Sequence, residues 1–263
     1  MVFFIFVSVV MCIYGTIIGS FLNVVIYRTP KKEQVVKGRS RCMSCSHVLA
    51  WYDLFPVISW ICLGGKCRYC KVKVSPRYAI VESLCGISYA IAFLALGLSI
   101  NLVFAVVLFP ILICLSFLDI DTGEIEYIFP ISIAALGIIA MGLSLFGVTD
   151  IPWHEHLIGA IAISIPFAVL ALFGAMGGAD IQLMAAAGLL LGWNIIPAAL
   201  IGVFSGAIVG AVFKATDKHV YKSEDALPAK GTAIPFGPFL AVGIAAAYLY
   251  GDKMIAWYLG LMG

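Results

Sequence analysis

The sequence predicts an all-α polytopic membrane protein with about eight transmembrane helices and one cysteine-rich loop module. Of its 263 residues, 63% are hydrophobic and only 11% are charged, against about 25% charged in a typical soluble domain. Long apolar stretches recur along the chain, and their lengths are close to the roughly twenty residues that a helix needs to cross a bilayer. They are continuous rather than alternating, which argues against a transmembrane β-barrel. The net charge of +2 implies no general affinity for nucleic acid.

The first apolar stretch, residues 2–27, is predicted to be a retained membrane span. No Lys or Arg precedes it, so it lacks the basic region of a cleaved signal peptide. Residues 28–76 form the only sizeable extramembrane region. Further spans are predicted at residues 77–97, 102–118, 127–146, 157–176, 181–193, 195–213 and 236–250.

The distribution of Lys and Arg predicts how these spans are oriented in the membrane. Residues 181–213 supply about 50 Å of helix, slightly less than two crossings of ~30 Å require. If residues 181–213 cross the membrane twice, every Lys and Arg except Lys253 lies on one side of it. If they cross only once, Lys214 to Lys230 lie on the side opposite the first loop. Because Lys and Arg accumulate on the cytoplasmic side, we predict a cytoplasmic loop at 28–76 and both termini outside.

The predicted loop contains two CxxC pairs, Cys42/Cys45 and Cys67/Cys70. Two such turns can offer four thiolates to a tetrahedral zinc ion, and a reducing cytoplasm argues against disulfides. Zinc or a similar metal is favoured over unliganded or redox-active thiols, with His47 as a possible substitute ligand. Four thiolates leave no open position, so the predicted zinc-binding loop module is structural. Between the pairs, apolar residues 54–63 form either the core of this module, which we favour, or a segment at the membrane interface.

Two carboxylates stand at the ends of apolar stretches on the same predicted face. Asp119 follows residues 102–118, and Asp180 ends the glycine-rich turn 177–180. An ionisable group set into a membrane span is costly and is by default a functional candidate. Neighbouring carboxylates share one proton, so one member can deprotonate a water while the other donates to a carbonyl oxygen. Such a pair hydrolyses a peptide bond without a covalent intermediate.

Simpler interpretations of the carboxylates remain open. Asp119 can belong to a solvated acidic turn that continues to Glu126, and Asp180 can be a helix N-cap. Glu82, a third carboxylate about one turn into the span 77–97, either forms a structural ion pair with Arg28 or Arg77 or lines a cofactor pocket.

Six segments occur in a fixed order along nearly the whole chain. They are residues 19–28, the four-cysteine loop with residues 51–53 and 59–60, residues 75–82, Asp119, residues 177–180 and residues 234–240. Together they resemble the bacterial type IV prepilin peptidases, which are bifunctional leader peptidase/N-methyltransferases.

The resemblance implies that Asp119 and Asp180 are the catalytic pair of an aspartyl peptidase in the bacterial inner membrane, with this pair and the cysteine loop facing the cytoplasm. It implies prepilin or pseudopilin substrates whose short basic leader ends in glycine. It also implies methylation of the new N-terminus by S-adenosylmethionine, with Gly65 and Glu82 as candidates for the methyl-donor site. The domains would be a first helix (1–27), a zinc module associated with methylation (28–76) and a peptidase core (77–263).

The sequence departs from the family pattern near both aspartates. Residues 125–127 read Ile-Glu-Tyr instead of Leu/Ile-Pro-Asp, Ala179 replaces a glycine, and Gln182 replaces a lysine. Both catalytic carboxylates are kept, so peptidase activity is expected. Two alternatives are a peptidase without methyltransferase activity and a proton-coupled transporter, in which the carboxylates would relay protons.

Overall fold

The computed structural model describes residues 2–36, 38–173, 176–215 and 235–262, which are mostly helical. Its helices are α1 (Val2–Arg28), α2 (Ile58–Cys62), α3 (Arg77–Leu96), α4 (Ile100–Thr122), α5 (Ile128–Leu145), α6 (Trp153–Leu172), α7 (Gly178–Leu191), α8 (Ile195–Ala215) and α9 (Gly237–Met262). Among the described residues, seven helical segments are long and apolar enough to cross a membrane, and one of them, Gly178–Phe213, comprises both α7 and α8. The predicted all-α polytopic fold is confirmed.

The chain divides into two compact units, Met1–Gly97 and Leu98–Gly263. The first unit contains α1, the cysteine-rich module and α3, whereas the sequence grouped α3 with the peptidase core. The predicted functional division at residue 77 stays a prediction.

In the first unit, α1 and α3 pack closely and in opposite directions. A Cβ on Gly19 would lie 2.7 Å from the Cα of Glu82, and one on Gly86 would lie 2.6 Å from the Cγ2 of Thr16. Small residues let membrane helices approach at backbone distance. The side-chain amide of Asn23 donates to the carbonyl of Tyr78 at 3.0 Å, which fixes the level of α1 against the first turn of α3.

In the second unit, α4 and α9 also run antiparallel. The N–H of Gly237, at the start of α9, donates to Asp119 near the end of α4. Near the opposite ends of the two helices, the hydroxyl of Tyr248 donates to the carbonyl of Asn101 at 2.9 Å. Both the start of α9 and the end of α4 therefore lie at one end of this unit.

Helices α7 and α8 form a hairpin rather than one long helix. The chain turns at Gly192–Asn194, where Gly192 has a φ of +57°, a conformation that glycine adopts without steric cost. Asn194 donates to Asp252 at 2.8 Å, whereas Gly206 packs against Phe236, so α8 runs antiparallel to α9. Helix α7 ends at this turn, so its start, with Asp180, lies towards the opposite end of the unit from Asn194.

A buried histidine supports this turn. The side chain of His156 in α6 is 1% exposed, and its Nδ1 lies 2.8 Å from the carbonyl oxygen of Leu189. The last four carbonyls of a helix have no partner within it. His156 therefore donates to one of the carbonyls that the end of α7 leaves unpaired.

Several helices extend beyond their predicted bounds. Helix α4 continues to Thr122 instead of ending at residue 118, and α9 continues to Met262 instead of residue 250. Hydropathy predicts a boundary at polar residues such as Asp252, but a helix continues through them where they find partners, as Asp252 does with Asn194. Helix α6 covers Trp153–Leu172 rather than residues 157–176.

Candidate active site and metal centre

Asp119 lies in the last turn of α4 and is buried, with 4% of its surface exposed. The helix ends at Gly123, which adopts the left-handed conformation and donates its N–H to the carbonyl of Asp119. By contrast, Glu124 and Glu126 are exposed. The structure therefore separates Asp119 from the solvated acidic turn that follows it.

The carboxylate of Asp119 meets the amino end of α9. Its Oδ2 accepts a hydrogen bond from the backbone N–H of Gly237 at 2.8 Å. The amino end of a helix carries partial positive charge and unpaired N–H groups, and it therefore favours an anion. A Cβ at position 237 would lie 2.7 Å from Oδ2 and 3.1 Å from Cγ of Asp119. Only glycine fits here without displacing the carboxylate.

Asp180 lies in the first turn of α7 and is also buried, with 8% of its surface exposed. Its Oδ2 accepts from the N–H of Gly177 at 3.0 Å. Asp180 thus does satisfy an unpaired N–H at the helix start, from the third helical position rather than from the N-cap. Gly177 has an ordinary φ of −81°, and a Cβ on Gly178 would meet nothing within 4 Å.

The two aspartates come together at one end of the second unit. Both are buried, and each accepts one backbone N–H at a helix start. They come from helices that are distant in sequence, and the antiparallel packing of α4 against α9 and the direction of α7 bring them to the same end of the unit.

The four predicted metal ligands form a compact cluster. The Sγ atoms of Cys42, Cys45, Cys67 and Cys70 all lie within 4.8 Å of one another, and those of Cys42 and Cys70 are 3.8 Å apart. With Zn–S bonds of about 2.3 Å, the edges of a tetrahedral site measure about 3.8 Å. The hydrogen bond from the backbone of Cys45 contributes most to lowering the pKa of the Cys42 thiol, to about 6. At Cys70 a hydrogen bond from the backbone of Val72 lowers the pKa, but burial and the neighbouring thiols outweigh it and raise the pKa to about 11. The cluster can hold a metal ion.

The two CxxC turns are local copies of one another, a repeat that the sequence analysis missed. Cys42 donates its N–H to the carbonyl of His47, and Cys67 does the same with Val72, five residues on in both cases. Each turn is closed by an isolated antiparallel bridge, Arg41 with Val48 and Lys66 with Lys73.

Side chains around the cluster join the second CxxC turn to the segment before α2. Asp53 accepts from Nε of Arg68 at 2.6 Å and from the hydroxyl of Tyr69 at 3.1 Å. Burial opposes the ionisation of Asp53, but these hydrogen bonds outweigh it and hold the pKa of Asp53 below its usual value. His47 stacks on Tyr69 with ring centroids 3.7 Å apart and is not one of the clustered ligands.

The apolar residues between the two CxxC turns do not form a core, so that expectation is wrong. Phe55 is 49% exposed, Ile58 61% and Ile61 64%. The metal cluster and the Asp53 hydrogen bonds organise the module in place of a hydrophobic interior. Small modules commonly depend on a bound metal for this reason.

The two candidates for the methyl-donor site occupy different surroundings. Gly65, with a φ of +66°, packs under the ring of Trp60 and lines a cavity of about 420 Å³ with Lys66 and Lys73. Glu82 is buried, does not line that cavity, and accepts the N–H of Val57 at 2.7 Å.

Two family descriptions match successive parts of the chain. Residues 13–96 match the bacterial peptidase A24 N-terminal domain, and residues 106–213 match the type IV leader peptidase family. A prepilin leader peptidase/N-methyltransferase of Bacillus subtilis is 32% identical over 95% of this chain and 97% of that protein. The chain belongs to this family. The boundary between the two matched regions agrees with the division of the structure after Gly97.

Further relatives carry the same name. The one from Legionella pneumophila is 30% identical over 97% of this chain and 95% of that protein. The one from Myxococcus xanthus is 36% identical over 77% of this chain and 62% of that protein. No solved structure matches the chain.

Proposed function

We propose that this chain is a membrane-embedded aspartyl peptidase that removes the short basic leader of prepilins or pseudopilins after glycine, and then methylates the new N-terminus. The observation that carries the proposal is the position of two buried carboxylates, Asp119 and Asp180, at the same end of the second unit, each on a helix start. Membership of the prepilin leader peptidase/N-methyltransferase family supports it.

In this mechanism the two aspartates share one proton, because neighbouring carboxylates cannot both ionise cheaply. The ionised member takes a proton from a water, which attacks the carbonyl carbon of the scissile peptide. The protonated member donates to the carbonyl oxygen. The C–N bond then breaks as the aspartate that took the proton from water gives it to the leaving amine, and the other aspartate takes its proton back from the hydroxyl as the carbonyl of the new carboxyl group forms. The N–H groups of Gly237 and Gly177 orient the two carboxylates and support their negative charge at helix starts.

We assign the methyl-donor site to the first unit, with Gly65 and Glu82 as its candidate residues. S-adenosylmethionine, when bound, supplies the methyl group for the new amine. The cavity lined by Gly65 suits such a ligand, because Lys66 and Lys73 can bind its carboxylate and Trp60 offers an aromatic ring. Glu82 lies outside the lining of this cavity, and its candidacy rests on the resemblance alone.

We assign zinc to the four-cysteine cluster, in a structural role. Cys42, Cys45, Cys67 and Cys70 supply four thiolates at tetrahedral spacing, and a site with four protein ligands has no open position for a substrate.

We place the protein in the bacterial inner membrane, with the cysteine module and both aspartates at the cytoplasmic face. The distribution of Lys and Arg supports this orientation. It would bring the peptidase to the side on which a basic leader is held.

The test is to incubate the purified protein with a leader-bearing prepilin and S-adenosylmethionine and to weigh the product by mass spectrometry. We expect loss of the leader and gain of one methyl group. Asp119→Asn and Asp180→Asn should each lower cleavage by at least about a hundredfold, the lower range for loss of an acid–base group. Glu124→Gln, at an exposed carboxylate of the adjoining turn, is the matched control and should cleave normally.

Other outcomes would select the alternatives. Cleavage without methylation would restrict the function to a peptidase. A folded wild type that cleaves none of several prepilins, but carries protons across liposome membranes, would favour a transporter.

A further inference from the structure

The short segment from Trp51 to Leu63, between the two CxxC turns, presents a largely apolar surface. Trp51 is 73% exposed, and Phe55, Ile58 and Ile61 are each about half or more exposed. Large apolar side chains that are grouped and exposed outside the membrane spans mark an interaction surface. The depth of the segment relative to the membrane spans indicates what this surface contacts.

A hydrogen bond to a membrane helix sets that depth. The N–H of Val57 donates to Oε2 of Glu82 at 2.7 Å. Helix α3 begins at Arg77, and Glu82 is five residues further, about 7.5 Å along the helix axis. Glu82 also lies against Gly19 of α1, nine residues or about 13.5 Å before Arg28.

Both helices therefore place Glu82, which holds Val57, on the membrane side of the basic residues at the helix ends. Arg28 and Arg77 mark the edge of the two spans. The backbone of Glu82 lies about 7–14 Å inward from this level, by the rise of 1.5 Å per residue, and its side chain leans back towards the start of α3, which brings the N–H of Val57 nearer to the level of Arg77. Amphipathic elements that lie in the bilayer interface reach about 5–10 Å into the boundary between headgroups and acyl chains.

Val57, the residue whose N–H donates to Glu82, lies at a tight turn. Ile58 donates its N–H to the carbonyl of Pro56 at 2.5 Å, and Val57 between them has a φ of +60° and a ψ of −50°. This is a γ-turn of the strained kind, rare for a β-branched residue. Strain of this kind persists where surrounding contacts hold it, and here the buried carboxylate of Glu82 is the contact.

We propose that residues 51–63 form an interfacial segment that anchors the cysteine module in the headgroup region of the lipid bilayer. Trp51, Phe55, Ile58 and Ile61 face lipid in this arrangement, since aromatic and apolar side chains are favoured at this depth. The exposed Lys71, which follows the segment and lies outside the cavity lined by Gly65, suits anionic headgroups.

Lipid is a better match to this surface than the apolar helix of a substrate. The depth is set by two helices that themselves cross the membrane, and the segment leads through the second CxxC turn directly into one of them. The proposal concerns the first unit alone and does not depend on the proposed peptidase activity.

The test is photo-crosslinking of the full chain in nanodiscs of phosphatidylethanolamine and phosphatidylglycerol. The photoreactive residue p-benzoylphenylalanine is introduced at Ile61 or, as the control, at Met43, which is 55% exposed on the first CxxC turn. Mass spectrometry should find lipid adducts several-fold more abundant at position 61 than at position 43. Equal yields at the two positions would overturn the proposal, as would crosslinking of position 61 to an added prepilin in preference to lipid.

A second measurement tests the role of Glu82. Glu82→Leu removes the acceptor that holds Val57 and should lower the lipid adduct at position 61 several-fold, whereas Glu82→Gln keeps an acceptor oxygen and should restore it. An unchanged adduct in Glu82→Leu would show that this bond does not set the depth of the segment.

Discussion

Asp119 and Gly237 form a contact between residues 118 positions apart. A buried carboxylate without partners is costly, and the N–H at the start of α9 offsets part of that cost for Asp119. The absence of a side chain at position 237 is as important as the hydrogen bond, because it lets the carboxylate approach the helix end. We therefore regard Gly237 as a residue that positions Asp119.

Gly237→Ala tests this positioning. The added Cβ would lie 2.7 Å from Oδ2 of Asp119, so the carboxylate or the start of α9 must shift. Displacement of a catalytic group by about 1 Å can cost about a hundredfold in rate. We expect kcat for leader cleavage to fall between about tenfold and a hundredfold, with a smaller change in KM, measured on purified protein with a prepilin substrate.

The matched control is Gly260→Ala, in the same helix. A Cβ there would meet nothing within 4 Å, and alanine is a better helix former than glycine. It should cleave at the wild-type rate. Wild-type kcat in Gly237→Ala would mean that Asp119 tolerates the shift and that Gly237 has no positioning role.

The sequence alone predicted those site residues that stand out by their residue type or their spacing. The aspartates Asp119 and Asp180 stand out because carboxylates are rare in apolar segments, and the four cysteines because of their spacing. Gly237 was noticed only within the segment 234–240, with no role, since its importance depends on a contact with a helix far away in the chain. Likewise, no local pattern pairs Val57 with Glu82.

At the scale of elements, the cysteine module is two copies of one turn joined by the four-cysteine cluster. Residues 41–48 and 66–73 have the same pattern of backbone hydrogen bonds, and one isolated bridge closes each turn. The apolar residues between them are exposed rather than buried, so the two copies meet at the four Sγ atoms and at the stacked rings of His47 and Tyr69. The fold of the module should therefore depend on its metal.

Removal of the metal should unfold this module and leave the second unit folded. Structural zinc contributes on the order of 10 kcal/mol to small domains at neutral pH, more than a few surface contacts can replace. After treatment with a chelator, or in Cys67→Ser, hydrogen exchange should become fast in residues 41–74 and stay slow in α4 and α9. Metal content is measured in parallel by atomic emission.

Cys62→Ser is the control for that experiment. Cys62 is exposed and lies outside the four-cysteine cluster, so the variant should keep both its zinc and its slow exchange. Slow exchange in a Cys67→Ser protein that has lost its metal would show that other contacts fold the module.

Hydropathy predicted the existence of the long helices well and their ends less well. In the extension of α9 past residue 250, Asp252 has a partner in Asn194, and the segment that exposes Ile58 and Ile61 is bonded to α3 through Val57. Both are tertiary effects. The hydropathy of a short apolar segment, by contrast, is the same whether the segment lies in a protein core or at a membrane interface.

At the scale of the whole molecule, the hairpin of α7 and α8 decides on which side the later part of the chain lies. Helix α7 has only 14 residues, about 21 Å, less than the hydrocarbon thickness of ~30 Å. The sequence alone therefore barely supports two crossings, and the predicted distribution of Lys and Arg was the stronger argument. The break at Gly192–Asn194 and the antiparallel course of α8 along α9 agree with two crossings.

Topology reporters test this arrangement. We expect alkaline phosphatase, which is active only outside the cytoplasm, to be active when fused after Val148, between α5 and α6, and inactive after Val36 or Lys222. Green fluorescent protein should give the reverse pattern. Lys222 lies outside the described residues, so its side follows from the number of crossings before it. If Val36 and Lys222 report opposite sides, then α7 and α8 cross only once. If they report the same side and Val148 the other, then Asp119, after three crossings, and Asp180, after five, face the compartment that holds the cysteine module.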